Sequence, residues 1–265
     1  MANTAAQTYV GATGVTGPAG AAGASGSTTY AGSLASSSSV AVSSGNQTYL
    51  LTGTTGVTTV TGGTSGSILT LIASGQATGV CVVLNHAAST NNLSLRDSAN
   101  LGIYAGESVT FVYDGTKWVE IARDLRKVLS YNFAEASGSI SSTTVAGGNT
   151  LATASSITFD GATPIVITLY LYYWATGSTA GSAVFANLWD GATAKNRVAY
   201  LSNSAVASAQ SLTLFTQVRL TPTAAARAYS IRAFRATSNG EWGTTDNPSA
   251  TGDNGQGFIR IERDI

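Results

Sequence analysis

Charge is what this sequence has least of. Its 265 residues include 13 Lys plus Arg and 13 Asp plus Glu, 10% of the chain, against about 25% in an average soluble domain. Residues 1–95 hold none at all; Arg96 is the first charged side chain. The net charge is zero, so no overall field draws the chain to nucleic acid. An uncharged stretch of that length needs another route to solubility. Either other chains cover its surface, or Ser, Thr, Asn and Gln solvate it. Cysteine is nearly absent as well. Cys81 stands alone in the apolar run 80–84, so no intrachain disulfide holds the fold and the thiol reads as buried and inert.

The same scarcity narrows the chemistry. His86 is the single histidine, and one His with one Cys makes no ordinary zinc site. A Ser-His-Asp triad would have to use His86, yet no Gly-x-Ser-x-Gly elbow occurs. No phosphate-binding glycine loop precedes a helix. The carboxylates are scattered, and Asp114, Asp160 and Asp190 each precede a glycine in a turn. The expectation is a protein that is not an enzyme and needs no cofactor or metal. No apolar run approaches the roughly 18 residues of a membrane helix. Residues 1–7 have neither the basic nor the apolar region of a secretory signal. The expected history is synthesis in a host cytoplasm, with any outside role reached inside a released particle.

What the chain does have is glycine, 30 of them, amid Ala, Ser and Thr. Small and β-branched residues favour strands and tight turns. Gly11, Gly14, Gly17, Gly20, Gly23 and Gly26 fall at strict period three, with Pro18 after Gly17. In a collagen triple helix only glycine fits the axis at every third position. The alternative is a flexible Gly/Ala linker. A stretch this short needs trimeric domains beside it or a socket around it. Residues 27–44 are Ser-rich and read as linker.

Alternating apolar patterns then predict strands over 47–51, 56–61, 67–72, 80–84, 93–96, 108–113 and 117–121. The last two join at Asp114-Gly115, a type I′ hairpin signal. The run from Asn92 through Leu93-Ser94-Leu95-Arg96-Asp97 and Asn100-Leu101, then Ala105-Gly106 and Ser108–Tyr113, closing with Asp114-Gly115-Thr116-Lys117-Trp118, resembles a segment of bacteriophage tail-fibre and virion proteins. The resemblance covers about 75 residues with the strands upstream. It implies a particle-associated β module that packs and trimerises without chemistry, with Trp118 as a core or interface anchor.

Trp118, Ile121, Leu125 and Val128 are spaced 3-4-3, as in a coiled-coil seam. Residues 124–130 are therefore expected to be a neck, as a short helix or a plain strand-to-linker passage. Eight strands follow, over 139–146, 150–159, 164–174, 183–189, 197–201, 211–221, 228–237 and 257–263. They predict a jelly-roll sandwich. The expected organisation is all-β: a collagen-like attachment segment and linker (1–44), a β-rich fibre-like module (45–123), the neck, and an eight-stranded jelly roll (131–265). The layout resembles the trimeric heads of the complement and tumour-necrosis-factor-like families. That resemblance implies inner strands packed on a threefold axis. Residues 165–174, apolar on both faces, suit such a strand, with Tyr170, Tyr172 and Trp174 at the interface. A central strand of a monomeric sandwich is the other reading.

One long polar loop, 239–256, carries Trp242, Asp246, Asn247 and Asp253, a set able to stack on a sugar or hold calcium; a solvated loop is the bland alternative. Arg219, Arg227, Arg232 and Arg235 are expected to pair with acids across a subunit contact. The function expected is a homotrimeric virion component. Its N-terminal segment would meet other virion proteins, and its outer partner would be a host-surface glycan or protein. A tail fibre or spike stands first, a head fibre or capsid decoration protein second, and a glycan-degrading tailspike is the rival of another class.

Overall fold

The computed structural model describes residues 28–87, 89–134, 138–203, 209–237, 240–243 and 257–264. The period-three glycines lie outside that range. The described residues are all-β, without a helix.

The first ten strands form one module. They are β1 (Thr29–Ala35), β2 (Ser39–Ala41), β3 (Gln47–Thr52), β4 (Thr59–Thr61), β5 (Ile68–Ala73), β6 (Cys81–Leu84), β7 (Leu93–Ser94), β8 (Leu101–Tyr104), β9 (Ser108–Tyr113) and β10 (Trp118–Asp124). Strands β1, β3 and β5 stack in parallel, and β2 stacks in parallel on β4. The chain thus winds about two coils of a small β-solenoid. An antiparallel extension, β9 and β10, continues the sheet from β5. Every second residue of β3, β5 and β9 turns inward, so Tyr49, Leu51, Leu69, Leu71, Val109 and Phe111 share one core.

Trp118 anchors that core. It is 1% exposed, and its indole N–H donates to the Val60 carbonyl at 2.9 Å. Its ring lies over Gly63, where a Cβ would stand 2.5 Å from Cζ2. The residues that carry the fibre resemblance meet nearby. Arg123 bonds Asp97 at 2.8 Å and the buried Glu120 at 2.5 and 2.7 Å, and Glu120 also accepts the Arg96 N–H.

Two local expectations are corrected, and one left open is decided. The Ser-rich stretch is not a linker: β1 and β2 lie in it, held by backbone pairing and by buried Val40 and Val42. The hairpin turn is not type I′, because only Gly115 has positive φ (98°). The Asp114 carboxylate instead accepts the N–H groups of Thr116 and Lys117, each at 2.8 Å. The neck is no helix, since Trp118, Ile121 and Asp124 lie in β10 and the next strand opens at Val128.

The second module contains β11 (Val128–Ala134), β12 (Gly138–Ile140), β13 (Asn149–Thr153), β14 (Ile157–Phe159), β15 (Ile165–Ala175), β16 (Ala183–Asp190), β17 (Thr193–Ser202), β18 (Ser211–Leu220), β19 (Ala225–Arg227), β20 (Tyr229–Arg235), β21 (Gly240–Gly243) and β22 (Gly257–Arg263). Four pairs act as single lanes: β11 with β12, β13 with β14, β19 with β20, and β21 with β22. That leaves eight lanes. One sheet runs first, eighth, third, sixth; the other runs second, seventh, fourth, fifth. This order is that of a jelly roll. Between the sheets lie Ile165, Ile167, Leu169 and Leu171 of β15, Val184, Ala186 and Leu188 of β16, and Ile259 and Ile261 of β22.

The modules are joined by buried polar bonds. Arg263, 2% exposed, grips Glu107 through two bonds of 2.8 and 2.9 Å and donates to the carbonyls of Gly102 (2.7 Å) and Arg126 (3.0 Å). The Asp160 carboxylate accepts the Gly102 N–H at 2.7 Å, and the Tyr104 hydroxyl donates to the Thr158 carbonyl at 2.8 Å. Cys81 and Tyr104 of the first module pack into the core of the second. Burial pushes the Cys81 thiol up to about 12, with the negative charge of Asp160 adding to it.

Candidate functional site

The outer face of the sheet β11–β22–β15–β18 follows from strand parity. Odd residues of β15 and β22 point into the sandwich, so even ones point out. Register then aligns side chains across the sheet. Phe133 is opposite Phe258, Phe258 opposite Tyr170, and Tyr170 opposite Phe215. Four aromatics thus stand in one row across four strands.

The rings touch. Tyr170 and Phe258 stack with centroids 5.6 Å apart, Tyr131 stacks on Phe258 at 5.1 Å, and Tyr131 meets Phe133 edge-on at 4.9 Å. Yet the row is open to solvent. Phe215 is 61% exposed, Phe133 55% and Tyr131 44%. With Tyr172, and taking roughly 200 Å² per ring, the bare aromatic area is about 400 Å². That is about half of the roughly 800 Å² each partner gives a standard interface.

Polar rows flank the aromatic one. In the next, Arg260 faces Thr168 and Gln217 donates to the Thr168 hydroxyl at 3.2 Å. Beyond it Glu262 is opposite Val166, and Arg260 pairs with Glu262 at 3.0 Å. An apolar centre with a polar border is the anatomy of a protein–protein contact.

The expected interface residues divide. Tyr170 and Tyr172 are on this face, but Trp174 is 1% exposed inside the sandwich core. The cause is a β-bulge. Leu171 pairs with Leu214 and Trp174 with Leu212, so three residues on β15 match two on β18 and parity flips. Phe133, Phe215 and Phe258 had not been expected here; no local signal marks them, because strand order alone brings them together.

Trp242 lies in β21, whose backbone pairs with β15 and β12. Asp246, Asn247 and Asp253 lie outside the described residues, as do Gly11, Gly14, Gly17, Gly20, Gly23 and Gly26. The four arginines are engaged within the chain: Arg219 with Asp264, Arg227 with Asp190, Arg232 over the Trp189 ring, and Arg235 on the Ser141 carbonyl. His86 organises a loop. Its Nδ1 accepts the Leu95 N–H at 3.0 Å, and its own N–H donates to Asn100. Among the described residues, no group of three or more His, Cys, Asp or Glu could hold a metal. They form no helix long and apolar enough to cross a membrane.

No protein-family model matches the chain, and no curated protein matches it in sequence. Among solved structures it is similar to that of the infectious bursal disease virus Gx strain, at 15% identity and a TM-score of 0.31 over 62% of this chain and 48% of that one. It is similar also to the VP2 subviral particle of infectious bursal disease virus, at 13% identity and a TM-score of 0.32 over 62% and 45%. The chain spans less than half the length of either. Likeness at this level carries no argument about function.

Proposed function

We propose that this chain is a non-catalytic structural subunit of a bacteriophage particle, a homotrimer serving as a tail fibre or spike that meets the host surface. The observation that carries the reading is the aromatic row Phe133–Phe258–Tyr170–Phe215, open on the outer face of a jelly-roll sheet. A patch of about 400 Å² lies within the roughly 300–600 Å² of the largest apolar patch on a typical monomer, which is often functional. Its occupant is taken to be further copies of the same chain, because a period-three glycine repeat suits a triple helix of three chains. The fibre-like run from Asn92 to Trp118 adds the particle association. The N-terminal segment is assigned to contacts with other virion proteins.

Light scattering tests the trimer. The intact chain should give three times 26.8 kDa, and a chain lacking residues 1–27 should give three times its own, smaller mass. The cut must stop there, since β1 begins at Thr29. Phe215→Arg combined with Phe133→Ser should yield a folded monomer. A monomer for the unaltered chain would refute the threefold reading. Antibodies against the chain should also decorate virus particles from the cells that make it.

A further inference from the structure

A second surface lies at the open edge of the sandwich, away from the aromatic row. The turn between β16 and β17 and the segment after β18 border a groove of about 580 Å³. That falls within the roughly 300–1,000 Å³ usual for small-ligand sites. Its apolar lining is the half-buried Val218 and Leu220, with Leu188 and Pro222 buried beside them, and its hydrogen-bonding groups come from Thr193, Asn196 and Thr221.

The electrostatics are lopsided. Lys195, Arg219 and Arg227 line the groove, with Asp190 as the one carboxylate among them. Asp190 is largely buried and serves two cations, Arg227 at 2.7 Å and Lys195 at 3.7 Å. Arg219 has Asp264, outside the groove, as its partner. Two carboxylates thus answer three cations, and one positive charge is left unmatched. Arg227 is also held by the hydroxyl and carbonyl of Thr223, so its guanidinium is fixed before any ligand arrives. Beside it the buried Tyr229 phenol keeps its proton, pushed up to about 12 by burial and by the charge of Asp190.

From this arrangement we infer that the groove binds a carboxylate-bearing saccharide. The apolar lining suits the C–H face of a pyranose. The Thr and Asn groups suit its hydroxyls, and the Lys195–Arg227 pair suits an anionic carboxylate. The single buried carboxylate is locked to arginine, so the site is a binding site without hydrolysis. The inference rests on the reading of the chain as a host-contacting subunit and names the ligand class of that contact.

The probe is an array of uronate- and sialate-containing oligosaccharides beside their carboxyl-reduced, neutral counterparts, screened with the full chain. Acidic members should be retained and neutral ones not. Raising salt from 150 to 500 mM should weaken retention. Lys195→Glu should weaken it at least tenfold, Lys195→Gln, which sets no second negative charge beside Asp190, should weaken it with an unchanged melting curve, since that side chain is 45% exposed, and Lys195→Arg should preserve it. Retention of neither class, equal retention of both, or indifference to Lys195→Glu would each overturn the proposal. The trimer mass and particle labelling are read separately, so failure here is distinguishable from failure of the particle reading.

Discussion

Replacing Arg263 by methionine should be the most damaging single change at the junction between the two modules. The side chain is 2% exposed and donates four hydrogen bonds, two to Glu107 and one each to the Gly102 and Arg126 carbonyls. Methionine fills much of the volume but supplies no donor. Glu107 keeps the Tyr104 and Arg126 N–H groups and the Arg126 guanidinium at 3.2 Å, yet loses its bidentate partner inside the protein. Breaking a buried ion pair from one side costs about 3–5 kcal/mol. For the two modules melting as one unit each kcal/mol moves Tm by roughly 2–4 °C, so the drop should be about 6–20 °C. Calorimetry should show one transition for the unaltered chain and two for the variant, as the modules uncouple. Adding Glu107→Gln removes the stranded charge and should recover part of the loss, a coupling of about 1–3 kcal/mol. A single variant melting within about 2 °C of the parent would refute the idea that this pair locks the modules.

Three further outcomes are expected. Gly63→Ala places a methyl against the Trp118 ring, where only 2.5 Å is available, and should cost about 1–3 kcal/mol in urea unfolding. The Asp114 carboxyl is held below the ordinary aspartate range by the N–H groups of Lys117 and Thr116. A depressed pKa stabilises the fold above the unfolded value and ceases to as pH falls through the folded one. The stability difference between the parent and Asp114→Ala should therefore be full at neutral pH and fade below the ordinary aspartate range, measured by urea melts across pH. Cys81, with its thiol pushed up to about 12, should resist iodoacetamide at pH 8 until the chain is unfolded; labelling of the folded chain would contradict its burial.

The strands of the jelly roll were legible wherever apolar residues alternate or run together. Each of the eight expected strands falls on one lane, and 257–263 matches β22 end to end. Legibility failed where backbone bonds carry the structure. Thr29–Ala35 has a single apolar side chain packed on the core, Leu34, and its pairing with β3 leaves no pattern in a serine-rich stretch. It failed again at the bulge before Trp174, because parity counted along a strand assumes an unbroken pleat. Arg263 was readable in principle. It has the parity of Ile259 and Ile261, both buried, so an arginine there needs a partner inside. What alternation could not supply was Glu107, 156 positions away.

The placement of β22 also bears on synthesis. It lies between β11 and β15 in the centre of its sheet, although it is made after every other strand described here. Until it leaves the ribosome, β11 and β15 have no neighbour to join them, and Glu107 waits in a finished first module for its arginine. At roughly 5–20 residues per second the solenoid can form many seconds before the sandwich closes. In that interval the edges of β11 and β15 lie open to strands from other nascent chains. In the proposed trimer, chains growing on one polysome would meet at that stage, where correct assembly and mispairing would compete. Clipping even the last few residues of β22 should therefore lower the yield of soluble protein far more than clipping the same number ahead of β1.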